Sequence, residues 1–474
     1  MKLISTAKLL KTRGYKLTDR NVSKPAALED AKVTHQLAQF IVESKYEDLP
    51  SDIVKEASRA IINCLGCAIG AAQHDTVQFA VEAFEPFFGA PQAQIWGRSE
   101  RADILHAALI NGISTHVLDF DDTHFRAVHP SAPVLPAIFA LAEWRQFSGK
   151  ELVHAYVLGV EAEIRIALSV FPEHYDRGWH ITGTAGIFGA AAAVGKLLKL
   201  NVEQMTWALG IAATQSSGLR EMFGTMCKSF HPGHAAQGGM AAALMAQKGF
   251  TSSTRALEAK RGFGQVMSSR FDPAVITTDL GKQYEISKNM YKPFACGLVV
   301  HAVIDACLQL RKQHQLKAED IASIHATVGP LVLELTGIKS PRTGLEGKFS
   351  VYHAMAVAII YGAAGEDQFS TEVVCNPAVE KLRSLMEVKV DPQVRKLEGY
   401  VTIVLRNGKQ LECHVSDALG SLVHPMSDED LENKFKGLTS KKLSADTTRR
   451  LLDQCWKITQ LNDISPLMRA TAVL

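Results

Sequence analysis

The sequence has no excess of charge of either sign. Its 51 Lys and Arg residues oppose 49 Asp and Glu residues, which leaves a formal net charge of +2. Such a balance gives no broad field for holding nucleic acid or an anionic membrane surface, so we expect neither as a partner. The sequence also lacks a run of about 18 uncharged apolar residues, the length that a membrane-spanning helix requires. Recognition of an anion must therefore depend on a local cluster of side chains.

Grouped metal ligands are also absent from the sequence. Its eight cysteines are scattered over 474 residues, which favours reduced thiols and a cytoplasmic location. The C-x-x-C pair Cys64 and Cys67 lies in an apolar helical segment, and we interpret it as core packing. His231 and His234 have a spacing that suits metal binding, but no third ligand lies near them in the sequence. We therefore predict no metal and no cofactor.

The first 24 residues differ in composition from the rest of the chain. They carry seven Lys or Arg residues, one acid and several Ser and Thr residues. We interpret residues 1–30 as a basic, flexible N-terminal extension. The same composition is typical of mitochondrial presequences, and in that case the protein would reside in the mitochondrial matrix.

The remaining sequence has the length and composition of a two-domain globular protein. Residues 31–285 are predicted to be helical, with long Ala-rich and Leu-rich segments broken by Gly and Pro. Residues 286–421 mix a strand at Ile321 to Val328, helices at Leu298 to Arg311 and Ser350 to Tyr361, and a hairpin at Tyr400 to Val415. Asn407-Gly408 is a strong signal for the turn of that hairpin. Residues 422–474 return to charged amphipathic helix.

The densest polar cluster follows the apolar segment Ala107 to Leu118. It contains Asp119, two further aspartates, and the imidazoles of His124 and His129. One interpretation is a helix terminus that opens into a solvated loop. The other is that a carboxylate orients a histidine that transfers protons near neutral pH.

Three further clusters combine imidazoles, lysines and small residues. His180 precedes an Ala-rich helix whose N-terminus offers free N–H groups to an anion, although a structural role for a single histidine is also open. Lys228 and His231 lie in a Gly-bearing apolar neighbourhood that suits a carboxylate receptor or a structural role. Lys292 and Cys296 lie where the predicted architecture changes, and clefts between domains favour small ligands.

Taken in order, these motifs resemble the MmgE/PrpD family over roughly residues 33 to 470. The resemblance is carried by six segments of the sequence: Asn111-Gly112 through Asp119 to Thr123 and on to His129-Pro130, Gly178 to His180, Gly224 to Lys228, Lys292 to Cys296, Lys348 to Ser350, and Pro425 to Asp428. The family includes 2-methylcitrate dehydratases, cis-aconitate decarboxylases and an epimerase.

The resemblance implies a mainly α fold, with a large all-α domain, a smaller α+β lid domain, and C-terminal helices that return to the large domain. It also implies a homodimer and a metal-free active site in the cleft. By motif match, the family's active-site positions fall on Asp119, Thr123, His129, His180, Lys228, Lys292 and Cys296. We assign catalytic roles to His129, Asp119, His180 and Lys228, and substrate binding to Thr123, Lys292, Cys296 and His231.

We expect a small di- or tricarboxylate as the substrate, with His129 as the main proton-transfer group, held by Asp119. Cys296 stands where the mammalian decarboxylase type has His, and Leu333 lies near a Tyr of that type, whereas the fungal type is similar around Ala295-Cys296. These differences favour a hydro-lyase that removes water from a citrate-like or 2-alkylcitrate hydroxy acid. The alternatives are a carboxy-lyase that forms itaconate from cis-aconitate, an epimerase or isomerase of a dicarboxylate, and a non-catalytic carboxylate-binding homologue.

Overall fold

The computed structural model describes residues 32–126 and 128–473, so the predicted basic extension lies outside the described residues. The first part of the chain is helical, as the sequence predicted. Its helices are α1 (Val33–Glu43), α2 (Ser51–Ala71), α3 (Asp75–Phe84), α4 (Ile104–Val117), α5 (Ser131–Arg145), α6 (Gly149–Val170), α7 (Glu173–Asp176), α8 (Ile181–Leu197), α9 (Val202–Ala213), α10 (Cys227–Gln247), α11 (Phe263–Met267) and α12 (Ala274–Thr277).

Glycines allow the central helices of this domain to approach each other closely. A Cβ atom on Gly233 of α10 would lie 2.4 Å from the carbonyl oxygen of Leu109 in α4. A Cβ atom on Gly112 of α4 would lie 2.6 Å from the Cα atom of Gly233. Any larger residue at this crossing would push the two helices apart. The crossing therefore brings the C-terminal end of α4 close to the N-terminal end of α10, where the polar clusters of the sequence meet.

Two short antiparallel strand pairs accompany the helices, and the sequence did not predict them. Strand β1 (Ala93–Gln94) pairs with β2 (Arg101–Ala102). Strand β3 (Thr123–His124) pairs with β4 (Asn289–Met290), and Thr123 lies opposite Met290. The second pair joins the loop after α4 to the segment that enters the smaller domain, so these two segments lie side by side.

The lid domain, for which the sequence predicted residues 286–421, packs helices against a four-stranded sheet. In the sheet order β6-β5-β7-β8, the β5–β6 pair is parallel and the others are antiparallel. The predicted strand at Ile321 to Val328 and the hairpin across Asn407-Gly408 are confirmed, whereas β6 was not predicted. The elements are α13 (His301–His314), β5 (Ile321–Val328), α14 (Pro330–Thr336), α15 (Gly344–Gly347), α16 (Val351–Tyr361), α17 (Thr371–Val374), α18 (Pro377–Arg383), β6 (Met386–Val390), β7 (Gly399–Leu405) and β8 (Gln410–Val415).

The C-terminal segment forms the helices α19 (Asp428–Thr439), α20 (Ala445–Trp456) and α21 (Ser465–Arg469). Both α19 and α20 pack on α2, and α21 packs on α5. A Cβ atom on Gly66 of α2 would lie 3.0 Å from the side chain of Phe435, so α19 lies close against α2. Cys64 and Cys67 are buried free thiols inside this packing, as predicted. Among the described helices, none is both long and apolar enough to cross a membrane.

Candidate active site

A cavity of about 390 Å³ lies between the helical domain and the lid domain. Its volume is in the range of about 300–1,000 Å³ that is usual for small-molecule sites. Two of the residues with predicted site roles, His231 and Cys296, do not line it. The six that do are Asp119, Thr123, His129, His180, Lys228 and Lys292.

Asp119 lies between two lysines at the inner end of the cavity. The Lys228 ammonium donates to Asp119 Oδ1 at 2.7 Å, and Lys292 Nζ lies 3.3 Å from Oδ2. Lys292 also donates to the Asp119 carbonyl oxygen at 3.0 Å. Although burial alone would raise the pKa of the Asp119 carboxyl, the two ammonium groups hold that pKa far below its usual value. Asp119 has a φ of +49°, a strained conformation that aspartate tolerates better than most residues.

His129 is oriented by backbone and side-chain groups of the same loop. Its Nδ1 donates to the Asp122 carbonyl oxygen at 2.9 Å and lies 3.4 Å from Asp121 Oδ2. Because a carbonyl oxygen only accepts, Nδ1 must carry the hydrogen, which leaves Nε2 of the neutral ring as an acceptor. We expected Asp119 to hold His129, but Asp121 and the Asp122 carbonyl occupy that position, since Asp119 is paired with lysines.

His116 completes the cluster, and the sequence analysis did not identify it. Its Nδ1 donates to Asp121 Oδ2 at 2.8 Å, and its Nε2 accepts from Lys228 Nζ at 2.9 Å. Burial, opposed in part by Asp121, lowers the pKa of this ring to about 3, so it is neutral at physiological pH. No local signal singled it out, because α4 ends at Val117 and the approach of His116 to Lys228 depends on the α4–α10 crossing.

His180 and His231 form a second imidazole pair beside this cluster. Their Nδ1 atoms are 2.8 Å apart, so one ring donates to the other. Burial lowers the pKa of His231 to about 4 and that of His180 well below its usual value, so both rings are neutral. His180 is the N-cap residue of α8 and lines the cavity. His231 contacts His180 but does not line the cavity.

Aromatic and apolar side chains form much of the remaining wall. The rings of Phe223 and Phe349 lie 5.4 and 5.6 Å from Lys228 Nζ, distances at which a ring face stabilises a cation. Cys296 is fully buried outside the cavity, and burial raises the pKa of its thiol to about 12. That thiol is therefore protonated and has no direct access to a ligand in this arrangement.

His116, Asp119 and His129 offer donor atoms within 4.8 Å of one another, close enough for a metal ion. These donors already have partners, however. The two nitrogens of His116 bind Asp121 and Lys228, and the carboxylate of Asp119 faces two ammonium groups. A divalent cation at this position would meet strong repulsion from the lysines. The donor set therefore suits an organic anion bound by lysines better than a metal ion.

This arrangement has the elements of an acid–base site for an anionic substrate, and comparison with known proteins gives its class. The chain belongs to the MmgE/PrpD family: residues 35–276 match the MmgE/PrpD N-terminal domain and residues 294–458 match the MmgE/PrpD C-terminal domain. The family predicted from the motifs is thereby confirmed.

Individual relatives carry two kinds of name. The chain is 28% identical to the cis-aconitate decarboxylase of Mus musculus over 92% of this chain and 93% of that protein. It is 26% identical to the cis-aconitate decarboxylase of Aspergillus terreus over 94% of this chain and 98% of that protein. It is 22% identical to the mitochondrial 2-methylcitrate dehydratase of Yarrowia lipolytica over 80% of this chain and 78% of that protein.

Proposed function

We propose that this protein is a lyase of a small tricarboxylate of the aconitate and citrate type, with decarboxylation as its reaction. One observation carries the proposal: Lys228 and Lys292 share the carboxylate of Asp119 in a cavity lined by His129, whose Nε2 has no hydrogen-bond partner among the described residues. The lysines supply charge that can neutralise a substrate carboxylate. The histidine supplies a proton-transfer group beside them.

Lys228 is arranged to bind the substrate and not only Asp119. Its ammonium has three hydrogens, of which two point to Asp119 and His116. The third is available to a carboxylate in the cavity, and Thr123 can donate a further hydrogen bond from the same wall. Because His116 and Asp119 fix the ammonium, little side-chain entropy is lost when the substrate binds.

Decarboxylation of cis-aconitate requires a cation near the reacting carbons and one proton. The bond to the departing carboxylate breaks, carbon dioxide leaves, and the electron pair spreads over the adjacent alkene and carboxylate. Lys228 and Lys292 stabilise the negative charge that develops there. His129, protonated at Nε2 and stabilised by Asp121, delivers the proton to carbon while the double bond shifts. The products are carbon dioxide and an unsaturated dicarboxylate.

Dehydration of a citrate-like hydroxy acid is the second candidate, and the sequence favoured it through Cys296 and Leu333. Neither residue lines the cavity: Cys296 is buried, and Leu333 lines a neighbouring groove. Neither side chain therefore reaches the cavity, and the two differences support dehydration less than we expected. The mouse and Aspergillus relatives, which span more than nine-tenths of the chain, are named decarboxylases. This favours carbon dioxide release.

The dehydration candidate retains its own support, from the Yarrowia relative and from the site itself. For that reaction, neutral His129 would remove a proton α to a carboxylate through Nε2, and an acid would assist the departing hydroxide. The same lysines would stabilise the enolate-like charge. The two reactions therefore require the same residues and differ in the substrate bound. The homodimer and the absence of a metal remain predictions that accompany the proposal.

The proposal is tested by offering purified protein a panel of cis-aconitate, citrate, 2-methylcitrate and longer 2-alkylcitrates, followed by mass analysis of the products. Loss of carbon dioxide from cis-aconitate supports the first candidate, and loss of water from a hydroxy acid supports the second. Deuterium exchange from solvent without net mass loss would indicate the epimerase alternative. Binding without any turnover would contradict the lyase proposal and favour a non-catalytic homologue.

A further inference from the structure

Two basic side chains line the cavity in addition to Lys228 and Lys292, and the mechanism does not use them. Lys396 belongs to the turn between β6 and β7 of the lid domain, and Arg126 belongs to the loop after α4 of the helical domain. The polar contact of Lys396 within the described residues is the Phe125 carbonyl oxygen, at 3.4 Å from Nζ. Arg126 lies over the rings of Phe125 and Phe171, at 5.0 and 6.0 Å from their centroids.

Lys396 and Arg126 differ from Lys228 and Lys292 in the negative charge that lies beside them. Lys228 and Lys292 share Asp119, whereas no carboxylate lies within 4.0 Å of Lys396 or Arg126 in the described part of the chain. Burial, with repulsion from Lys292 and Arg126, lowers the pKa of Lys396 to about 8. Asp176 also lines the cavity but forms no ion pair with Lys396 or Arg126 in the described part of the chain, so a bound anion would offset the repulsion between the Lys396 ammonium and the neighbouring cations.

We propose that Lys396 and Arg126 form a second carboxylate subsite, which binds a substrate carboxylate remote from the reacting carbons. This inference rests on the proposed function and deepens it, because it specifies a substrate with anionic groups at two separate positions. The wall also carries apolar side chains that suit a carbon skeleton: Phe171, Leu298, Val299, Leu331 and Leu335. A monocarboxylate would satisfy only one of the two basic regions.

The two members of this subsite come from different domains. A carboxylate bound by both would link the loop after α4 to the turn between β6 and β7. The substrate would then be held at both ends, and this double attachment fixes its orientation relative to His129. Lys396 is therefore expected to act in binding and positioning and not in proton transfer.

The test uses propane-1,2,3-tricarboxylate, which carries three carboxylates but has neither a hydroxyl group nor an alkene and so cannot react. Its dissociation constant is measured by titration calorimetry for the wild-type protein, Lys396→Met, Lys396→Arg and Arg126→Met. We expect Lys396→Met to weaken binding about ten- to a hundredfold, the effect of losing one charged hydrogen bond. Lys396→Arg should keep most of the affinity, because the charge remains.

The matched control is Lys389→Met, which removes an exposed lysine from β6 of the same domain, with its side chain 70% exposed. This variant should bind like the wild type. Equal affinity of Lys396→Met and the wild type, at unchanged melting temperature, would overturn the subsite, as would equal losses in Lys396→Met and Lys396→Arg. The proposed function is tested separately: wild-type protein that binds this ligand in a Lys396-dependent way but turns over no tricarboxylate would keep the subsite and refute the lyase. Failure of the wild type to bind this ligand would contradict the subsite, and turnover of a tricarboxylate by the same protein would then keep the lyase.

Discussion

His180 and His231 meet through their Nδ1 atoms at 2.8 Å, so only one of the two rings carries a hydrogen at this contact. Both rings are neutral, because burial lowers their pKa values. If His231 donates, His180 keeps its hydrogen on Nε2 and can donate to a substrate carboxylate. If His180 donates, its Nε2 becomes a base. The hydrogen position on His231 thus determines whether Nε2 of His180 donates or accepts in the cavity, although His231 does not line the cavity.

We therefore expect His231→Phe, which keeps a ring but removes the hydrogen bond, to lower kcat with little change in KM. The loss should be about ten- to a hundredfold, less than the roughly 10²–10⁴ expected for losing a proton-transfer group. His231→Asn, which can place an amide near the position of Nδ1, should recover part of the activity. Steady-state kinetics over a pH series check this, and identical profiles for the wild type and His231→Phe would contradict the role.

Lys228 and His129 should fail in different ways when substituted. Lys228→Met removes a charged hydrogen bond to the substrate, so we expect KM to rise about ten- to a hundredfold, and kcat to fall because the developing negative charge loses one of its two cations. His129→Asn can keep the hydrogen bond to the Asp122 carbonyl but removes Nε2, so kcat should fall by about 10²–10⁴. Melting temperatures of both variants separate these effects from misfolding. Small and equal effects on kcat and KM would mean that the site is placed wrongly.

Asp122 gives the protein a pH-dependent stability. Burial, with the neighbouring Asp121 carboxylate, raises its pKa to about 7, although Ser131 and Asn289 donate hydrogen bonds to it. The folded state thus binds the proton more tightly than the unfolded chain, where the pKa is about 3.9. This difference in proton binding contributes on the order of 4 kcal/mol to the free energy of unfolding below about pH 4. The contribution is lost as the pH rises through about 7.

Asp122→Asn removes that titration. We expect the variant to gain stability relative to the wild type as the pH is raised from 5 to 8, which thermal unfolding at matched pH values can measure. Titrating groups that do not interact with Asp122 affect both proteins alike, so the difference between them reports Asp122 and its charged neighbours. A difference in melting temperature that stays constant with pH would show that Asp122 is already ionised in the folded protein at pH 5.

We also expect that activity does not depend on a divalent metal. The ammonium groups of Lys228 and Lys292 lie beside the Asp119 carboxylate and neutralise its charge. Treatment with a chelator, followed by gel filtration into metal-free buffer, should leave kcat unchanged. Activity lost on chelation and restored by zinc, magnesium or iron would refute this, and it would assign His116, Asp119 and His129 to a metal site.

Much of the architecture could be predicted because the local signals were strong. Alternating apolar residues define β5, and Asn407-Gly408 defines the turn of the hairpin. Strand β6 alternates apolar and charged residues, but it spans only five residues at the sheet edge, and its parallel pairing with β5 joins segments that are distant in sequence. The pair of β3 with β4 was missed because two-residue strands carry no periodicity.

The motifs located six residues of the cavity wall, but they could not give the pairing of these residues. The motifs located Asp119 and His129, yet which carboxylate holds the histidine depends on the loop after α4, where the positive φ of Asp119 accompanies its contacts with the lysines. His116 looked like one polar residue in an apolar helix, and only the α4–α10 crossing brings it to Lys228. Lys396 is distant in sequence from every motif, so no local pattern could connect it with the cavity.

The central claim is that His129 delivers the proton that accompanies release of carbon dioxide from cis-aconitate. The most direct measurement is mass analysis of the product formed from cis-aconitate in deuterium oxide by the wild-type protein and by His129→Asn. We predict that the wild type yields an unsaturated dicarboxylate with one carbon dioxide lost and one deuterium gained on carbon, and that the variant forms this product about 10²–10⁴ times more slowly. Rapid formation of the same product by His129→Asn, or no loss of carbon dioxide with the wild type, would contradict the claim.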